Sequence, residues 1–361
     1  MNLGHGGNVE EICRRYNICE KDIIDFSANI NPLGISKKVK EEMIKSLDRI
    51  ERYPDITYHD LRMGISQYEG IDYNNILLGN GAAEVIFNVI RGLKPKKVLL
   101  PAPTFSEYED GIRAINGEIV YYKLNRENFK LDDGFLEAID KSMDMLFICN
   151  PNNPTGQLVS KEFLIKVLNK SSDTKVVIDE SFLDFIEDKS RYSLIDMCKD
   201  YENLIIVKSL TKFFSFPGIR VGYGITGNAE FIRKINKVSV PWSINTVAST
   251  GAIVALKERE YQKNSIDFIK NEKVFLYNEL CTFKELEVFE GAVNFIFFKT
   301  RTDINLKEEL IKYGIIIRSC SNYIGLGLNY YRVAVRTREQ NEKLIYALRK
   351  VFNKWKKSWL Y

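Results

Sequence analysis

From about residue 74, short apolar runs alternate along the chain with longer amphipathic stretches. The runs are Ile76–Leu78, Val98–Leu100, Met145–Cys149, Val176–Ile178, Leu204–Val207 and Val221–Ile225. A strand with one wet face alternates apolar and polar residues. These runs are apolar throughout, the mark of strands covered on both sides. Most intervals between them are long enough for a helix to cross over. The pattern predicts an α/β fold in which an open, mostly parallel sheet lies between layers of helices.

Beyond residue 243 the rhythm changes. A helical stretch covers roughly Ile244 to Leu280, followed by a strand-like Val293–Lys299, a helix near Leu306–Lys312 and strands at Ile315–Arg318 and Tyr330–Val335. The last helix opens on Thr337-Arg338-Glu339-Gln340, a capping box in which Thr337 takes the Gln340 amide and Gln340 reaches back. Leu344, Ile345, Leu348, Val351 and Phe352 give that helix one apolar face. At 361 residues the chain exceeds one ordinary core. The boundaries predict a large domain over 36–243 and a small α+β domain over 244–361. Residues 1–35, rich in Gly, Asn and Ile, read as an arm that packs on the small domain and the active site rather than as a core element.

Charge narrows the function more than the fold. Lys and Arg number 52 against 48 Asp and Glu, and this evenly spread excess argues against nucleic acid or a membrane surface as partner. Six scattered cysteines without a C-x-x-C pair, beside two histidines, argue against a metal site. Cys149 lies in an apolar run, which speaks against disulfides. The first residues carry no secretory signal, and no apolar stretch reaches spanning length. A reduced, cytoplasmic protein is expected.

Four segments at or just after predicted strand ends carry the candidate chemistry, and open α/β sheets bind ligands at that rim. In Ser209-Leu210-Thr211-Lys212, followed by Arg220, a hydroxyl and a guanidinium flank a lysine at spacings that can place both on one phosphate group. Partial burial or a cationic neighbour lowers such a lysine's pKa and makes it a nucleophile. Val176-Val177-Ile178-Asp179-Glu180 puts a carboxylate at a strand end. Asn150-Pro151-Asn152-Asn153-Pro154-Thr155-Gly156 is a tight turn bearing an amide. Gly79-Asn80-Gly81-Ala82-Ala83 joins a strand to a helix whose first amides can meet a phosphate. Taken singly, these are also a surface lysine, a helix cap, a plain turn and a weak Gly-x-Gly.

Together and in this order, the segments resemble the fold-type I pyridoxal 5′-phosphate (PLP) enzymes, the aspartate aminotransferase superfamily. The resemblance spans nearly the whole chain and implies a seven-stranded, mostly parallel sheet. It implies that Lys212 is joined to the cofactor aldehyde and that Asp179 pairs with the pyridine nitrogen, keeping the ring an electron sink. Asn153 would face the ring's phenolic oxygen and Tyr108 would stack on the ring. Ser209, Arg220 and the amides at Gly81, Ala82 and Ala83 would hold the phosphate, with Tyr53 reaching it from the second subunit of a homodimer. Arg332 would hold a substrate carboxylate.

Within the superfamily, His5-Gly6-Gly7-Asn8, Asp25-Phe26-Ser27-Ala28-Asn29 and Ile317-Arg318-Ser319-Cys320-Ser321-Asn322-Tyr323 resemble the histidinol-phosphate aminotransferase branch. The likeness is nearest to the threonine-phosphate decarboxylases of cobalamin biosynthesis. It implies that His5, Gly6 and Arg318 contact a substrate phosphate and that Asn29 lies near the carboxylate. Three residues after Asp179, where typical aminotransferases carry a tyrosine, stands Phe182, which by the resemblance would line the cofactor without offering a hydroxyl. The reaction depends on which Cα bond is held perpendicular to the ring: the carboxylate bond gives decarboxylation, the hydrogen gives transamination. Cys320, close in sequence to Arg318, is a candidate for an acidified thiol or for plain packing.

Overall fold

The computed structural model describes residues 6–358. In chain order the first half comprises α1 (Val9–Tyr16), β1 (Ile24–Asp25), α2 (Lys37–Lys45), α3 (His59–Glu69), β2 (Ile76–Gly79), α4 (Ala82–Leu93), β3 (Lys97–Ala102), α5 (Glu107–Arg113), β4 (Glu118–Lys123), α6 (Asp133–Ala138), β5 (Met145–Cys149), α7 (Lys161–Lys170) and β6 (Lys175–Asp179). The second half runs β7 (Leu204–Ser209), α8 (Leu210–Phe213), β8 (Gly222–Ile225), α9 (Ala229–Val238), α10 (Thr246–Ala255), α11 (Arg259–Cys281), β9 (Leu286–Phe289), β10 (Phe295–Thr300), α12 (Leu306–Ile311), β11 (Ile315–Ile316), β12 (Arg318–Ser319), β13 (Tyr330–Ala334) and α13 (Arg338–Ser358).

Seven strands make one sheet in the order β2-β8-β7-β6-β5-β3-β4. Only β8 opposes the rest, being antiparallel to both β2 and β7. β5 and β7 are buried along their whole length, which is why they carry unbroken apolar runs. β4 escaped the apolar pattern for the converse reason. It is an edge strand with exposed Glu118 and Lys123 at its ends and half-buried residues between. The neighbouring strands β5, β6 and β7 bring Cys149, Asp179 and Ser209 to the same rim.

The single helix expected over 244–280 is two. α10 stops at Ala255, and Gln262 of α11 turns its buried amide back to donate to the carbonyls of Ala255 and Leu256 at 3.3 and 3.2 Å. That satisfies the acceptors left over at a helix end. Half of the capping box at α13 forms: the Gln340 amide donates to Thr337 Oγ1 at 3.4 Å, but the Gln340 side chain accepts from Arg336 instead of reaching back.

A second, antiparallel sheet has the order β12-β13-β10-β9. The strand expected over 315–318 is split between partners: β11 pairs with β1 in parallel, and β12 pairs with β13. Residues 24–26 are therefore more than an arm. The amides of Ile24 and Phe26 donate to Gly314 and Ile316, and the Phe26 carbonyl accepts from Ala334, all at 2.8 Å. Phe26 is fully buried in the core shared by Leu276, Leu310, Val333 and Leu348. Among the described residues no helix is long and apolar enough to cross a membrane.

Candidate active site

The rim of the large sheet carries a cradle for an anion. Gly81 caps α4 with φ +87°, a left-handed conformation that suits glycine. Behind it, a Cβ on Gly222 would overlap the backbone nitrogen of Ala82, so β8 approaches the helix start only because residue 222 has no side chain. The Ala82 and Ala83 amides open the helix and, among the described residues, donate to no protein acceptor. The Arg220 guanidinium lies against Gly81 and donates to the Pro217 carbonyl at 3.2 Å. Ser209 Oγ and Thr211 Oγ1 are 2.9 Å apart beside it. Amides, guanidinium and hydroxyls at a helix N-terminus are the donor set for a phosphate monoester.

Lys212 sits on α8, a single turn started by the end of β7. Its Nζ donates to Ser209 Oγ at 3.0 Å and lies 5.4 Å from the centre of the Phe182 ring. Burial is the largest influence on this amine, Arg220 and Arg332 reinforce it, and Asp179 opposes; the result is a pKa brought down to about 8. A lysine so placed is a nucleophile near neutral pH.

Asp179 ends β6, buried. Its Oδ1 accepts from the Ser181 amide at 2.9 Å and its Oδ2 from the Tyr108 hydroxyl at 2.7 Å. Tyr108 was expected flat on a cofactor ring. It is instead fully buried, one face stacked on Phe147 at 4.8 Å and its hydroxyl committed to Asp179, so it shows no open stacking surface. Cys149 pairs in register with Asp179, and burial pushes its thiol up to about 12, which leaves it no nucleophile.

Across from this rim lie two buried arginines. Arg318 and Arg332 face each other as register partners on β12 and β13, so their side chains leave the same face of the small sheet. Arg332 donates to Asn153 Oδ1 and, at 2.8 Å, to the Ser27 carbonyl. Asn29, its amide oxygen turned to the guanidinium, accepts from Nη1 and Nε at 3.2 Å each. The hydrogen-bond acceptors of Arg332 are all neutral, and burial pulls its pKa down, with the Asp25 carboxylate acting on it only from beyond contact. Arg318 donates to Asn322 at 2.8 Å and lies over the Tyr323 ring. Cys320 is buried beside them; burial raises its thiol to about 11 against the pull of both arginines, so packing is its role.

The structure thus brings together Lys212, Asp179, Asn153, Ser209, Arg220, Gly81, Ala82, Ala83, Phe182, Asn29, Arg318 and Arg332, with Tyr108 buried behind Asp179. Gly6 packs against the Ser27 carbonyl that Arg332 uses, while His5 lies outside the described residues. Tyr53 is not brought there within one chain; it is 79% exposed and rests on Trp242, ring centres 4.9 Å apart. Sequence reasoning missed Thr211, Ser27 and Tyr323, each a single polar residue inside a motif noted for its neighbours.

The residues present fit PLP. An anion cradle, a depressed lysine and a buried carboxylate lie in succession along one rim, and Asn153 keeps an Nδ2 that donates to nothing among the described residues.

Residues 21–348 match the family Aminotransferase class I and II. The threonine-phosphate decarboxylase of Salmonella typhimurium is 38% identical over 97% of this chain and 97% of its own length. The histidinol-phosphate aminotransferase of Methanococcus aeolicus is 35% identical over 96% and 95%. Among solved structures, the histidinol-phosphate aminotransferase from Clostridium acetobutylicum superposes with a TM-score of 0.87 at 35% identity, covering 92% of this chain and 100% of that one. Over nearly its whole length, this chain belongs to the class I and II aminotransferases, enzymes that work with PLP.

Proposed function

We propose that the protein decarboxylates L-threonine O-3-phosphate to (R)-1-aminopropan-2-yl phosphate, a step of cobalamin biosynthesis. The observation that carries this reading is the pair Arg318 and Arg332, two buried guanidiniums on one face, which suits a small substrate bearing two anions at once. Arg332 with Asn29 holds the carboxylate, and Arg318 with Gly6 and His5 holds the phosphate. PLP, when bound, supplies an aldehyde for the amines of Lys212 and substrate and a ring that accepts the electron pair released at Cα.

Lys212, with a pKa near 8, is about one-tenth neutral at pH 7, so its Nζ can take up or return a proton at the substrate Cα. Asp179, anchored by Ser181 and Tyr108, keeps negative charge at the pyridine nitrogen. Arg220, Ser209 and the Ala82 and Ala83 amides fix the cofactor phosphate. Asn153 donates to the ring oxygen alone, because Phe182 has no hydroxyl to add. In this reading residues 36–243 carry the cofactor, 244–361 carry both arginines and 1–35 close over them. The six cysteines are unpaired, in keeping with a reducing cytoplasmic setting.

The working unit in this reading is a homodimer. Ile44, Leu47, Ile50, Tyr53, Val240 and Trp242 are each exposed by 42% or more, an apolar strip that a second copy can cover. Tyr53 of that copy then reaches the phosphate.

Incubation of the PLP-loaded enzyme with threonine phosphate tests the reaction. Release of CO2 and aminopropanol phosphate is the expected result, and neither product forming ends the proposal. Turnover of histidinol phosphate with 2-oxoglutarate would instead favour an aminotransferase, the reading that the Methanococcus and Clostridium relatives support.

A further inference from the structure

Tyr323 has no role so far, although it closes the segment that begins at Ile317. The geometry points to Tyr323 as the residue that positions Asn153 toward the cofactor. It is 5% exposed, and its hydroxyl donates to Asn153 Oδ1 at 3.3 Å. The same oxygen accepts from Arg332 Nη1. A carbonyl oxygen has two lone pairs, so these donors fill it and fix the sense of the amide, leaving Nδ2 as the end that faces the cleft. The inference rests on the proposed placement of Asn153 at the ring oxygen and is independent of which reaction follows.

The two donors are not equivalent. Arg332 is the proposed carboxylate anchor, so a bound substrate competes with Asn153 for its Nη1. Tyr323 keeps its proton for Asn153, because Arg318, the other group at its hydroxyl, can only donate. Burial, first among the influences on its phenol, raises its pKa and keeps it a donor across the working range. Phe182 adds no hydroxyl, so the alignment of one amide decides how well the ring oxygen is held. Tyr323 also lies with its ring 5.3 Å from the Arg318 guanidinium. One side chain therefore touches the proposed phosphate anchor with both its ring and its hydroxyl, and the cofactor's amide with that same hydroxyl. Tyr323 is a positioning residue that acts through Asn153.

A pH titration of the holoenzyme's visible absorbance tests this without turnover. A donor to the ring oxygen stabilises its anionic form and weakens the hold of the Lys212–cofactor linkage on its proton; a misaligned donor does the reverse. Tyr323→Phe is expected to raise the pH midpoint by about half a unit to one unit, the size of one neutral hydrogen bond, with thermal stability and PLP content near those of the parent. Asn153→Ala is expected to raise it too, and Tyr323→Phe to add nothing in the Asn153→Ala background. A parental midpoint in Tyr323→Phe beside a shifted Asn153→Ala overturns the role of Tyr323. Full additivity of the two shifts overturns it as well, since Tyr323 then acts elsewhere. An unshifted Asn153→Ala overturns the placement of Asn153 itself.

Discussion

Lys208 and Glu69 meet as a buried ion pair, Nζ to Oε1 at 2.8 Å, with side chains 1% and 4% exposed. Asp184 stands 3.4 Å from the same ammonium and is also held by Lys189 at 2.7 Å, while Tyr223 donates its hydroxyl to Glu69. Burial opposes the charge on Lys208, yet Asp184, Glu69 and Glu180 hold its ammonium well above the ordinary lysine range. The pair ties the last turn of α3 to β7, one residue before Ser209. A charge-bearing position at the end of an apolar run was its only trace in the sequence.

Removing one member of such a cluster strands the others. Lys208→Met leaves Glu69 without its cation in a dry site, and the expected loss of stability is about 3–5 kcal/mol. Urea denaturation checks it, as a lower midpoint at unchanged slope. Lys208→Met combined with Glu69→Gln is expected to recover part of the loss. A single variant as stable as the parent would show that the ion pair does not secure β7.

Lys212 sets a pH dependence. The neutral amine attacks an aldehyde, so capture of PLP by the apoprotein is expected to quicken about tenfold per pH unit below 8 and level off above it. An amine at the ordinary 10.5 would keep accelerating past pH 9. Because the folded value lies below the ordinary one, the charged amine costs stability at neutral pH, and that cost fades as pH rises from about 8 toward 10.5. Lys212→Met apoprotein is therefore expected to melt higher than the parent at pH 7 and to show no visible band with PLP. Stopped-flow absorbance and thermal melts read both effects; a capture rate without a plateau refutes the depressed pKa.

The two buried arginines are expected to fail differently. Arg332→Lys loses the fork that serves Asn29, Asn153 and Ser27, and kcat/KM for threonine phosphate should fall by about 10- to 100-fold, the worth of one charge-assisted hydrogen bond. Arg318→Gln should lower activity with threonine phosphate while sparing any slow reaction with unphosphorylated threonine, so that the preference between the two substrates shrinks. Steady-state kinetics with both substrates decide the matter. Equal losses on both substrates in Arg318→Gln would remove that side chain from the phosphate subsite.

Much of this site was legible because its residues sit where a strand ends, and strand ends are marked by a switch from apolar to polar. Asp179, Ser209 and Lys212 stand at such switches. Arg318 and Arg332 were visible as separate residues, but their pairing depends on β12 and β13 lying in register, which no local pattern encodes. β1 is two residues long, too short for a period to appear, so Phe26 looked like part of an arm rather than of a core. Tyr108 and Tyr323 are aromatic residues with a polar tip, and only the partner of that tip separates packing from positioning. Tyr53 lies exposed, and only the proposed dimer would give it a partner at the site.

Gly222 gives the sharpest test of the anion cradle. A methyl group there would overlap the Ala82 nitrogen, a backbone atom that cannot swing aside as a flexible side chain can. Relief requires β8 and the start of α4 to part, which moves the Ala82 and Ala83 amides away from any phosphate held by Arg220 and Ser209. Gly222→Ala is therefore expected to weaken PLP binding at least tenfold, measured by dialysis against graded PLP, while the far-UV spectrum stays near the parent's. Inorganic phosphate should slow PLP binding to the parent apoprotein and affect the variant less, because both anions depend on the same amides. Unchanged PLP affinity in Gly222→Ala would place the cofactor phosphate somewhere other than this helix start.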